Sequence, residues 1–120
     1  MEPQQPDRGL AVERRGDAVV ARFHREVVLT GPEAEAAAER LTALLAEVDQ
    51  WPLLVDFGNV RSLSSFMLGN LVALSRAAES AGVRLALFNL RPDVRGILEI
   101  TGVNLLLCLY GGEAEALQGL

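Results

Sequence analysis

LLVDF at 53–57 is apolar on both faces of a would-be strand, and VRLALFNL at 83–90 reads the same way. A strand with one face in water alternates apolar and polar residues, and one covered on both faces need not. Both runs therefore belong inside a sheet with layers on either side. The segments between the strands have a different period. Ala34, Ala37, Ala38, Leu41, Leu44, Leu45 and Val48 recur at i, i+3, i+4 and i+7, the apolar stripe of one helix. A second helix reads from about Ser64 to Ala81 and stops at Gly82. A third, short one lies in RPDVRGILEITG, with Pro92 near its start and Gly102 at its end. NLLLCLY at 104–110 is the last strand. Strands alternating with helices require right-handed crossovers and a mostly parallel sheet.

The N-terminal part adds a hairpin. LAVERR and DAVVARFH flank a Gly16–Asp17 turn signal. Val19, Ala21 and Phe23 alternate with Val20, Arg22 and His24, as in a half-buried strand. REVVLTG then reads as a short extended link, and Thr30-Gly31-Pro32-Glu33 as a capping box with proline in the first turn. Trp51-Pro52 closes the first helix, because the residue before proline disfavours helical dihedrals. GNVRSLSS is a loop, and GGEAEALQGL reads as a short acidic tail able to form a final turn of helix. The expected order is β-β-α-β-α-β-α-β. It describes one α/β domain over 9–120, a mixed, mostly parallel sheet of four to five strands under about three to four helices, behind a loose tail at 1–8.

Charge and composition exclude several functions. Sixteen acids stand against eleven bases, all of them Arg, for a net charge of −5. A nucleic-acid module needs a basic face to displace counterions, and this balance opposes one. It equally disfavours anionic lipid. No apolar run of spanning length and no signal-peptide pattern is present, so no membrane insertion is expected and the cytoplasm is the expected compartment. Cys108, the single cysteine, sits in an apolar run and reads as a small core residue. With one His and one Cys, neither a metal site nor a cofactor is expected. A Ser65–His24–Asp56 set has no nucleophile-elbow motif behind it, and no phosphate-binding glycine loop occurs, so the chain is not expected to be an enzyme.

The stretch from LLVDFGNVRSLSSFMLGNLVAL through GVRLALFNLRPDVRGILEITGV resembles the STAS domain family of anti-sigma-factor antagonists. The family pattern is an apolar strand ending in Asp, a turn, a Ser-bearing segment opening a helix, a buried strand, a Pro-initiated helix and a Thr-Gly stop. Here these fall at 53–56, 59–65, 68–74, 85–90, 92–98 and 101–102. The resemblance implies a protein-interaction module with a phosphorylated serine at the helix start. It also implies a partner that is both anti-sigma factor and serine protein kinase, of the histidine-kinase-like ATPase type. Laid on this sequence, the common Asp-Ser-x-Gly form becomes Ser64, Ser65, Phe66 and Met67. Ser65 is then the phosphoacceptor and Ser64 the alternate. The acceptor hydroxyl is kept, and the acid and glycine are replaced. An alternative within the family is a scaffold that is never phosphorylated, or an accessory subunit of a stress-signalling or lipid- or anion-transport assembly. Homo-oligomerisation is compatible with either.

The position also makes physical sense. The first amides of a helix lack partners and sit at the positive end of its dipole, so a phosphate there finds donors without unfolding the domain. The plainer alternative is that Ser64 or Ser65 only caps the helix. Phe66 and Met67, with Asn70 one turn on, read as a docking patch, against the alternative that the pair packs under a neighbouring loop. Loops at the C-terminal edge of parallel strands gather in space. Asn59, Arg61, Asn89 and Arg91 are therefore expected around Ser65, with Arg61 or Arg91 placed to receive a phosphate, against the plainer alternative of solvated loop arginines. Arg61, Ser62, Asn89 and Arg91 join Phe66, Met67 and Asn70 as the expected partner-binding residues.

Overall fold

A computed structural model describes residues 9–119, so the tail expected at 1–8 lies outside the described residues. The hairpin forms as expected: β1 (Leu10–Arg15) pairs antiparallel with β2 (Ala18–Phe23) across Gly16, whose φ is +59°. The five-stranded sheet continues in parallel through β4 (Leu53–Asp56), β6 (Leu85–Phe88) and β7 (Leu109–Tyr110), in the order β1-β2-β4-β6-β7. Its register puts Ala21 beside Val55 and Val55 beside Leu87, with Val20, Leu54 and Ala86 one step back.

That register explains why the inner strands are apolar on both sides. Val19, Ala21, Leu53, Val55 and Leu87 point to one face, where α1 (Gly31–Glu47), α2 (Ser65–Ala81) and α3 (Pro92–Thr101) pack. Ala18, Val20, Leu54, Ala86 and Phe88 point to the other, under Ala116 and Leu117 of α4 (Glu113–Gln118). Fully burying a side chain such as Leu54 or Phe88 is worth about 1.5–3 kcal/mol.

Several expectations need correction. REVVLTG and the GNVRSL loop each hold a short strand, β3 (Val27–Leu29) and β5 (Val60–Leu63), which pair in parallel as a separate two-stranded sheet. The observed order is β-β-β-α-β-β-α-β-α-β-α. The capping box at Thr30 does not form. Thr30 makes no side-chain cap bond, Gly31 takes φ +54°, and the first turn closes from Ala34 N to the Thr30 carbonyl at 3.3 Å. α1 ends at Glu47, before Trp51, with Asp49 at φ +60°. Most of 104–110 is not strand: Val103–Leu106 winds into a 3-10 turn and only Leu109–Tyr110 pairs with β6. Cys108 is exposed, not a core residue, because the chain there lies at the sheet's rim. The ends of α2 and α3 match expectation, each closing on a left-handed glycine, Gly82 at φ +74° and Gly102 at φ +78°.

Candidate functional site

The C-terminal edge of the parallel strands is built on side-chain amides and carboxylates. Asp56 ends β4, and its Oδ1 accepts from the Gly58 amide at 2.8 Å, which tightens the turn that follows. Asn89, after β6, holds φ +63° and donates from Nδ2 to the same Oδ1 at 3.3 Å. Asn59 Nδ2 donates to the Phe23 carbonyl at 2.8 Å, tying the turn to the end of β2. Between them Phe57 is fully buried, and its amide reaches the Phe88 carbonyl at 2.9 Å. The turn sends the chain off the main sheet into β5, and β5 runs straight into α2. Ser64 N donates to the Leu29 carbonyl at 3.0 Å, so β3 fixes where the helix begins.

Ser64 and Ser65 then take separate tasks. Ser64 is the N-cap: its Oγ accepts from the Met67 amide at 3.3 Å and its carbonyl from the Leu68 amide at 3.0 Å. Ser65 is the first helical residue and is exposed, with no side-chain hydrogen bond among the described residues. Its hydroxyl stands at the positive end of a 17-residue helix.

The expected docking pair divides. Phe66 is 51% exposed, while Met67 is 0% exposed and belongs to the core with Leu71, Leu74 and Ala78. Met67 is therefore corrected from surface to interior: entry from β5 rotates α2 so that its buried stripe begins at Met67. Asn70 donates from Nδ2 to the Phe66 carbonyl at 2.9 Å. Phe66 and Asn70 line a groove whose other wall is α1, at Glu35, Ala38, Glu39, Thr42 and Ala43.

The two arginines gather on a residue that sequence reasoning missed. Glu26, in the connection before β3, takes Arg91 Nη2 at 2.9 Å and Arg61 Nη1 at 3.7 Å. Arg91 also donates from Nε to the Gly58 carbonyl at 2.9 Å. Ser62 is half-buried within β5, opposite Val28. None of Asn59, Arg61, Asn89 or Arg91 bonds to Ser65, since each already holds a backbone carbonyl or carboxylate of the edge. The hydrogen bond and charge of Arg91, with Arg61 adding its charge, hold the Glu26 carboxyl below its ordinary 4.5. A carboxylate lowered by folding stabilises above its unfolded value and stops doing so as pH falls through its folded one. Carboxyl NMR titration of Glu26 should give a midpoint below 4.5, and Arg91→Ala should move it back up.

A second network binds the edge from the opposite face. Arg22 Nη1 meets Asp56 Oδ2 at 2.8 Å, and Nη2 meets Glu13 at 2.9 Å and Glu113 at 3.2 Å. These carboxylates, Glu13 foremost, hold the guanidinium above its ordinary value. The signal in the sequence was Arg22 itself, a charge on the strand face that otherwise reads Ala18, Val20. The Asp56 carboxylate is thus engaged by Arg22, Gly58 and Asn89. Among the described residues no group of three or more His, Cys, Asp or Glu could hold a metal, and no helix is long and apolar enough to cross a membrane.

Comparison with known proteins bears on this geometry. The family model described as Mlab, STAS domain, matches residues 24–108. The fold is similar to that of a putative anti-sigma factor antagonist from Thermotoga maritima, at 20% identity, covering 92% of each chain with a TM-score of 0.79. It is similar to part of the murine Slc26a9 anion transporter in its inward-facing state, at 16% identity, covering 88% of this chain and 18% of that one with a TM-score of 0.74. It is also similar to the Bacillus cell fate determinant SpoIIAA in its phosphorylated form, at 18% identity, covering 91% and 96% with a TM-score of 0.64. No curated protein matches the chain in sequence.

Proposed function

Because this chain belongs to the STAS domain family, we propose that it is a non-catalytic interaction module of the bacterial cytoplasm, an anti-sigma-factor antagonist. Its partner is a serine-kinase anti-sigma factor of the histidine-kinase-like ATPase type, and phosphorylation of Ser65 switches the binding. The observation that carries this reading is the split of the serine pair: Ser64 is used by the cap, and Ser65 is left exposed beside half-exposed Phe66. The replacements in the motif fit the same reading. Serine caps a helix about as well as aspartate, so Ser64 does what an acid there would do. Met67 fills the core at a position where glycine would leave a void.

A phosphate on Ser65 adds roughly −1.5 to −2 charges. Within the chain it meets the free amides of the first turn and leaves the fold in place. Against a partner seated on Phe66 the same group must be desolvated, which costs several kcal/mol unless a cation receives it. The bond to the partner weakens while the domain stays folded.

The test uses the full chain with candidate kinases of that class. Kinase and ATP should add about 80 Da to the parent and nothing to Ser65→Ala. Ser65→Glu should keep its melting temperature and lose about tenfold or more in affinity, some 1.4 kcal/mol. A chain that stays unmodified, with Ser65→Glu binding as the parent does, would refute the switch. A second reading, an unphosphorylated accessory domain of a transport assembly, draws on the likeness to the anion-transporter structure. Capture of a transporter subunit insensitive to Ser65→Glu would select it.

A further inference from the structure

We propose that this chain forms a two-fold symmetric dimer through α3 and the 3-10 turn behind it. Ile100, Leu105 and Leu106 are 88%, 82% and 54% exposed, the largest exposures of big apolar side chains among the described residues. The turn that carries two of them is fixed in place. Leu105 N donates to the Gly102 carbonyl at 3.1 Å, Ser75 Oγ to the Leu106 carbonyl at 3.2 Å, and Val103 and Leu107 pack on the core. An ordered apolar surface of this kind marks a contact site.

The helix beside it is built for close, self-complementary approach. At 100° per residue, the fully buried Val94 and Leu98 set the inward face of α3, and Gly96 and Ile100 point the opposite way. Glycine is a poor helix former, and nothing among the described residues calls for one here, since a Cβ at Gly96 would meet no atom of theirs within 4 Å. An incoming helix does call for one. Arg95 and Glu99 lie together on one flank, and neither has an ion pair among the described residues. A two-fold axis crossing α3 near residue 97 runs the two helices antiparallel and keeps each flank on its own side. Arg95 of each copy then meets Glu99 of its partner, twice per dimer.

Other occupants fit less well. The first eight residues, MEPQQPDR, are mostly polar in composition and offer little apolar surface to match three large aliphatic side chains. A net charge of −5 opposes an anionic bilayer. Against a second copy the flank charges cancel, and the aliphatic residues form the centre of an interface of standard size, about 800 Å² per partner. Ser65 lies at the far end of α2 from Ser75, so the dimer leaves it open and the inference does not depend on the switch.

Sedimentation velocity on the full chain tests this. At tens of micromolar the 12.9 kDa chain should sediment at twice its mass. Ile100→Glu with Leu105→Glu should return it to monomer with an unchanged circular dichroism melt. Gly96→Leu should do the same, because in the monomer that side chain enters open space. Arg95→Glu or Glu99→Arg alone should weaken association about tenfold, and the two combined should restore it to within about threefold. A parent chain that is monomeric at hundreds of micromolar overturns the proposal. So does a dimer indifferent to Ile100→Glu with Leu105→Glu, failure of the charge swap to rescue, or sedimentation of the patch with uncharged lipid vesicles instead.

Discussion

Phe57→Ala lowers the free energy of unfolding by about 3–5 kcal/mol, the range for emptying a buried aromatic site. Phe57 is 0% exposed and meets the Phe23 ring edge-on, with centroids 6.1 Å apart and planes at 82°. Its backbone cannot follow the lost side chain inward. The amide is held by the Phe88 carbonyl, the Phe57 carbonyl accepts from Val60 N at 2.9 Å, and the next residue is clamped by Asp56. The void therefore stays open, and the packing of Phe23 goes with it. Urea unfolding should show a lower midpoint with an unchanged slope. Phe66→Ala, which removes a ring already half in water, is the internal control and should lose less than about 1 kcal/mol. A Phe57→Ala loss no larger than that of the control would mean that the edge does not rest on this ring. The two variants also separate fold from the proposed binding: the first should act mainly on stability, the second mainly on affinity for the partner proposed to seat on Phe66.

Arg22→Leu is expected to destabilise the domain by about 2 kcal/mol, below the 3–5 kcal/mol for breaking a fully buried pair, because this cluster is part-exposed. One guanidinium serves three carboxylates from three elements, Glu13 of β1, Asp56 of β4 and Glu113 of α4. Without it the three acids face one another. α4 suffers most. Six residues are too few to hold a helix in water, so α4 stands on the Ala116 contact, Leu117 and the ion pairs of Glu113 with Arg22 and Arg15. Hydrogen exchange in Arg22→Leu should quicken at 113–118 far more than in α1. Arg22→Lys keeps the charge but loses the planar fork, and should fall between the parent and Arg22→Leu. Equal protection of α4 in all three proteins would show that apolar contact alone seats it.

Much of the architecture could be read from period and punctuation. β4 and β6 declared themselves by being apolar on both faces, and the structure supplies a layer for each face. α2 and α3 ended where glycine follows the last turn, since a left-handed cap suits no other residue as well. What was missed depends on contacts distant in sequence. β3 has three residues, too few for alternation to register, and exists because β5 lies beside it. The facing of Met67 is set by how β5 delivers the chain into α2, which helical spacing alone does not encode. Of the site, the Ser64–Ser65 pair and the Asp56 turn were legible as cap and turn residues. Glu26 was not, because nothing in its neighbourhood marks a surface acid that two remote arginines will share.

The sheet's two rims limit how anything can be joined to it. On one side β7 offers only Leu109 and Tyr110, too brief a template for another strand, and on the other β1 carries Glu13, Arg14 and Arg15 along an exposed stretch. Strand donation and fibril seeding both need a longer, plainer rim than either. Crowded copies of this domain should therefore resist edge-on polymerisation through this sheet.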